Sequence, residues 1–139
     1  MNKIIYTEPV YTYHIDFVGH VNNIIYIQWM ENGRVKLLQE IGMPAHEIAH
    51  TEGIFPILTE TTIQYKKPIF LHNTVTVKCW VSALNNASAF IEFRFFNEDR
   101  QLCATGRQKG LFINRETMRP ARLTENYRKA FEKFFIIDK

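Results

Sequence analysis

The chain has 139 residues, 46% of them hydrophobic and 22% charged, the make-up of one globular domain (residues 1–139) with enough chain to bury a core. A net charge of +3, scattered along the sequence, makes no electrostatic case for nucleic acid, and no recognition-helix, zinc-finger or RNP pattern accompanies it. No apolar run reaches membrane-spanning length, and Cys79 and Cys103 lack a metal or redox spacing, so they read as buried thiols.

Lys3 to Tyr13 is rich in Ile, Tyr, Val and Thr, residues that suit a pleated surface, and is read as a first strand. Pro9 lacks an N–H and favours an edge or a bulge there. Polar and ionisable residues then crowd together: His14, Asp16, His20, Asn22 and Asn23. They stand just ahead of the longest helical pattern in the chain, which ends at Gly42 and Pro44. Its apolar stripe is Ile27, Met30, Leu37, Leu38 and Ile41, broadened by Ile25 and Trp29. Gly33 costs about 1 kcal/mol against Ala in a helix interior, so a neighbouring backbone is expected to approach closely there. Asn22 or Asn23 suits the N-cap. Asp16, His20 and the first helical amides can converge on one carbonyl, because a helix N-terminus stabilises an oxygen that gains charge. The same residues also serve simply as cap and turn.

Ala45 to Gly53 reads as a turn of helix and a loop. His46 and His50 stand at a spacing that can share a metal, but no further ligand is near and none is expected. From Ile57 the period becomes two, with Ile57, Thr59, Thr61, Ile63 and Tyr65 on one face until Lys67-Pro68 ends the run. Thr74 to Ser82 puts Val75, Val77, Cys79 and Val81 inward; Ser88 to Asn97 puts Ala89, Ile91, Phe93 and Phe95 inward. Asn85-Asn86 and Glu98-Asp99 are hairpin turn material. A last strand runs from Leu102 to about Asn114, with Gly106 and Gly110 as bulge or kink sites. Leu123, Tyr127, Ala130, Phe131 and Phe134 recur at helical spacing, which makes an amphipathic C-terminal helix. Strand, long helix, about four more strands and a helix suit an α+β domain: a curled antiparallel sheet of about five strands around one long central helix.

The run Asp16-Phe-Val-Gly-His-Val-Asn-Asn-Ile-Ile-Tyr26 resembles the signature of hotdog-fold thioesterases of the 4-hydroxybenzoyl-CoA thioesterase type. It is also similar to plant acyl-ACP thioesterases, which carry an Asp four residues before the His, as Asp16 and His20 stand here. His14 replaces the family's frequent first Asp, and Val18 the Asn of the plant enzymes. Glu40-Ile-Gly-Met-Pro44 and Tyr65-Lys-Lys-Pro68 also look familial. The resemblance implies the hotdog fold and hydrolysis of an acyl thioester, carried by coenzyme A or by acyl carrier protein, with no cofactor. Asp16 would attack the carbonyl or activate water, and His20 would orient it or donate a hydrogen bond. Asn23 and Asn22 would present amides to the thioester oxygen, and Tyr26 would line the site.

Lys66 and Lys67, with Arg107, Lys109, Arg119 and Arg122, are candidates for the CoA phosphates. No Gly-x-Ser-x-Gly elbow and no phosphate-binding glycine loop competes with this reading. The alternative is a non-catalytic hotdog module that binds acyl-CoA or acyl chains. The resemblance further implies a homodimer or homotetramer. Trp80, Phe90 and Phe96, on the faces opposite the inward sets, suggest an oligomer surface or cover by the C-terminal helix. Without an apolar leader pattern, a cytoplasmic location is expected.

Overall fold

The computed structural model describes residues 2–43 and 53–136. The expected turn of helix and loop from Ala45, with His46 and His50, falls almost wholly outside them, as does Pro44. Strand β1 spans Ile4–Pro9 and helix α1 Asn23–Glu40; β2 (Ile54–Tyr65), β3 (Thr74–Leu84), β4 (Ser88–Phe96) and β5 (Leu102–Asn114) follow, then helix α2, Glu125–Glu132. The strands form one five-stranded sheet in the order β1-β3-β4-β5-β2, and every pairing is antiparallel. This is the hotdog arrangement. Tyr11 to His14, read as the end of the first strand, instead turns out of the sheet through a short 3-10 segment, Thr12–His14.

The central helix is buried against the sheet through Ile25, Tyr26, Trp29, Met30, Gly33, Leu37 and Leu38. The inward sets of β3 and β4 are as the alternation predicts, with Val75, Val77, Cys79, Val81, Phe93 and Phe95 fully shielded. Each such side chain contributes roughly 1.5–3 kcal/mol of burial. Ile27 departs from the predicted stripe and is 44% exposed, because the core-facing arc centres on Trp29, Met30 and Gly33. Burial raises the Cys79 thiol to about 12, so it stays protonated and unreactive at neutral pH.

Gly33 admits side chains rather than a neighbouring backbone. A Cβ placed there would collide with the Tyr6 hydroxyl and lie 3.0 Å from Phe93 Cε1. The Tyr6 hydroxyl donates to the Trp29 carbonyl at 2.5 Å, which ties β1 to α1. Gly106 serves the same end from the sheet side, since its Cβ would sit 2.7 Å from Met30 Cε. Neither Gly106 nor Gly110 is itself an extra residue in the ladder. The irregularity lies opposite, where Leu58 pairs with Gly110 but Glu60 pairs with Lys109. Thr59 is the inserted residue, and it resets the in-and-out alternation of β2 that the sequence suggested was continuous.

Phe131 of α2 packs on Phe112 with ring centroids 5.5 Å apart, so this helix closes one end of the core and leaves the outer sheet face open. The outer aromatics are covered by cations instead. Lys3 and Arg94 lie 4.6 and 5.0 Å from the Trp80 ring, Arg107 4.2 Å from Phe90 and Lys78 5.1 Å from Phe96. Beyond α2, Phe135 bridges Val81 in parallel and extends the β1 side of the sheet.

Candidate active site

Asp16 sits in a tight loop between β1 and α1, closed by an antiparallel bridge between Ile15 and Val21. Its own amide donates to the His20 carbonyl at 2.8 Å. The carboxylate oxygen Oδ1 accepts from the amides of Val18 (3.0 Å) and His20 (3.3 Å), which fixes the side chain while leaving Oδ2 for other work. Gly19 makes the turn possible with a φ of +85°, a conformation costly for any residue with a Cβ. The loop is held to the connection between β2 and β3 by the Val21 amide on the Ile69 carbonyl, 2.8 Å.

Asn22 is the N-cap of α1, and its Oδ1 accepts from the Ile24 amide at 3.0 Å. That side chain is therefore occupied in ending the helix. The Asn23 amide is the first of the helix and is the one that the cap leaves open. Asp16, His20, Asn23, Tyr26, Lys66 and Lys67 line one cavity of about 280 Å³. Asn22 is not among them and adjoins Asn23 as the cap. The His20 ring lies edge-on to Phe70, with centroids 5.1 Å apart; its contact with Asp16 is through its backbone amide. His14, in the position of the family's first Asp, accepts the Tyr11 amide on Nδ1 at 2.9 Å and meets Trp29 edge-on.

Tyr65 is a site residue that pattern reading passed over. It lines the same cavity, meets Tyr26 edge-on at 5.2 Å, and its hydroxyl reaches the Asn23 carbonyl at 3.4 Å. Burial raises the pKa of both tyrosines, which keeps them as proton donors rather than bases. Its signal lies in the Tyr65-Lys-Lys-Pro68 segment, where the two cations mask it. Four of the six candidate phosphate ligands stand elsewhere. Arg107 pairs with Glu92 at 3.0 Å on the outer sheet face, and Lys109 shares that face over Phe90. Arg119 and Arg122 follow the far end of β5, where Ala121 bonds to Phe112. Among the described residues no three His, Cys, Asp or Glu side chains gather as metal ligands, and no helix is long and apolar enough to cross a membrane.

A curled antiparallel sheet around one helix is the hotdog architecture, and here Asp16 shares a cavity with the first residue of that helix. Residues 10–131 match the model of the thioesterase-like superfamily, and the chain belongs to that family of thioester hydrolases. It is 25% identical over 116 residues to "Putative acyl-CoA thioesterase YneP" of Bacillus subtilis strain 168, covering 84% of this chain and 80% of that one. It is 27% identical to the chloroplastic acyl-acyl carrier protein thioesterase ATL3 of Arabidopsis thaliana, covering 88% of this chain but 64% of the plant protein. Among solved structures it resembles a DHNA-CoA thioesterase from Staphylococcus aureus, 26% identical with a TM-score of 0.84, over 96% of this chain and 91% of the other.

Proposed function

We propose that this chain, as one domain, hydrolyses an acyl thioester of coenzyme A to free acid and thiol, with Asp16 as the reacting carboxylate. The observation that carries this is the pairing of Asp16 with the N-terminus of α1 across a single small cavity. The thioester oxygen would lie at the Asn23 amide, where the helix dipole stabilises the charge it gains. Asp16 would attack the carbonyl carbon, expel the thiolate and leave an anhydride for water to cleave, or it would take a proton from the attacking water. His20 and Tyr26 would shape the pocket and donate hydrogen bonds. Names of similar proteins that include both acyl-CoA and acyl carrier protein support the substrate class without separating its two carriers.

A non-catalytic acyl-binding module has less support, because such a pocket needs no carboxylate beside the thioester. Following thiol release from a panel of acyl-CoAs separates the two readings. The same assay tests Lys66 and Lys67, both exposed at the cavity rim. Reversing both charges should raise KM for acyl-CoA about tenfold or more, a loss of about 1.4 kcal/mol or more in charge-assisted contact. An unchanged KM removes them from the phosphate site and favours the carrier protein as donor.

We further propose a cytoplasmic homodimer or homotetramer. Strand β2 is 12 residues long and forms one edge of the sheet, and a long open edge invites pairing. Phe17, fully exposed, and Val18 and Ile24, also exposed, add apolar surface in the loop and first helical turn. Light scattering at micromolar concentration should return twice or four times the chain mass; a monomer there would refute the assembly.

A further inference from the structure

A mainly apolar cavity lies away from Asp16, farther along α1. It has a volume of about 390 Å³ between that helix and the sheet, with Val35, Leu38, Leu58, Ile91 and Phe112 among its walls, and Glu31 and Arg34 also line it. These two form an ion pair. One wall residue is out of keeping with the rest. Gln108 is only 1% exposed, and its Oε1 has no hydrogen-bond partner, while Nε2 makes only a long contact of 3.4 Å with the Thr61 hydroxyl. A buried amide left half-satisfied inside an apolar cavity is costly, and native interiors seldom keep one without a reason.

The cavity and the site lie in succession along one helix and one strand. Helix α1 and strand β2 run alongside one another in opposite directions: Tyr26 meets Tyr65 at the site. Met30 meets Gly106, the partner of Ile63, and Thr61 is the partner of Gln108. Ile24 and Ile27 are exposed on the helix, at spacings that put them on one face with Glu31 and Arg34. From Tyr65 to Thr61 the strand advances about 13 Å. An extended hydrocarbon chain advances about 1.25 Å per bond, so about ten to eleven bonds bridge that distance of about 13 Å.

We propose that the cavity receives the distal half of a long acyl chain, and that Gln108 is a specificity-determining residue that binds a hydroxyl at about the twelfth carbon. This rests on Asp16 being the thioester site. A hydroxyl is the group that fits, because it both donates and accepts. It therefore satisfies Gln108 whichever way the amide is turned, with the Thr61 hydroxyl serving the other atom. A carbonyl or ether would suit only one orientation.

The test compares kcat/KM for 12-hydroxyoctadecanoyl-CoA and octadecanoyl-CoA, with decanoyl-CoA, too short to reach Gln108, as the reference for thioester cleavage. The parent protein should favour the hydroxylated chain about tenfold or more, since a site built to bond a hydroxyl discriminates against the analogue lacking it. Gln108→Leu should bring the ratio to one or below, with its fold checked by circular dichroism. Equal rates on the two long chains in the parent, as expected if water fills the place, overturn the proposal, as does a preference that survives Gln108→Leu. Should the variant not fold, the parent ratio alone decides. Cleavage of decanoyl-CoA without the hydroxyl preference sinks only this inference; failure on all three substrates sinks the Asp16 reading beneath it.

Discussion

Asp16→Asn should lower the turnover of acyl-CoA by at least ~100-fold, the lower end of the range for loss of a general base. The amide keeps an Oδ1 to accept the Val18 and His20 amides, so the loop that depends on those bonds should persist. It removes both the nucleophile and the base. Substrate affinity should survive, because the helix amides and the lysines at the rim are untouched. The melting temperature of the variant must be read beside its rate: a loss of stability with turnover retained would make Asp16 a turn residue and no more. Single turnover in ¹⁸O-labelled water divides the two chemical routes, since only an anhydride intermediate can leave label in the Asp16 carboxylate. His20→Ala should cost less, its ring lying edge-on to Phe70 while its bond to the carboxylate comes from the backbone amide. Parent-level hydrolysis by Asp16→Asn would refute the mechanism.

Gly33→Val should destabilise the protein by about 3 kcal/mol, read as a lower urea midpoint at unchanged slope. The added carbons have nowhere to go: the Tyr6 hydroxyl and the Phe93 ring already occupy the space over Gly33. The rigid tyrosine is itself anchored on the Trp29 carbonyl, so displacing it also breaks a buried hydrogen bond. Gly33→Ala should move the same way by less, although alanine alone would favour the helix by about 1 kcal/mol. Adding Tyr6→Phe should recover part of that loss, because it removes the colliding oxygen. A midpoint raised by Gly33→Ala would mean that the helix and β1 are not tightly apposed.

The sequence carried those parts of the molecule that local chemistry dictates. Asn22 and Asn23 marked the start of α1 because a cap needs a short acceptor there, and the start of β5 was marked by the Glu98-Asp99 turn ahead of it. The inward sets of β3 and β4 were readable because both strands lie inside the sheet, one face on the core. Strand β2 misled because a bulge leaves no compositional mark: Thr59 looks like any other strand threonine. Ile27 misled because helical spacing marks apolar residues but not which arc of the helix meets the sheet. The phosphate candidates needed knowledge of which sheet face each residue takes relative to the site, and Arg107 and Lys109 fell on the wrong one. Gln108, a lone polar residue at an inward position between Gly106 and Gly110, was visible as an oddity in the alternation. Its significance depends on the cavity beside it.

The order of strands in the sheet has a consequence for how the chain reaches this state. Only β3, β4 and β5 are joined by short turns and paired with their sequence neighbours. Strand β1 must find β3 across the whole length of α1 and β2, and β2 must find β5 across two intervening strands. Closing such long loops is entropically expensive and slow, so the three-stranded meander is the natural nucleus and the two outer strands dock afterwards. Asp16 lies in the loop that follows β1 and Tyr65 ends β2, so the candidate site is assembled from the two late arrivals. During refolding from denaturant, far-UV ellipticity should therefore recover ahead of hydrolytic activity, and a simultaneous return of both would argue for a nucleus that already includes β1 and β2.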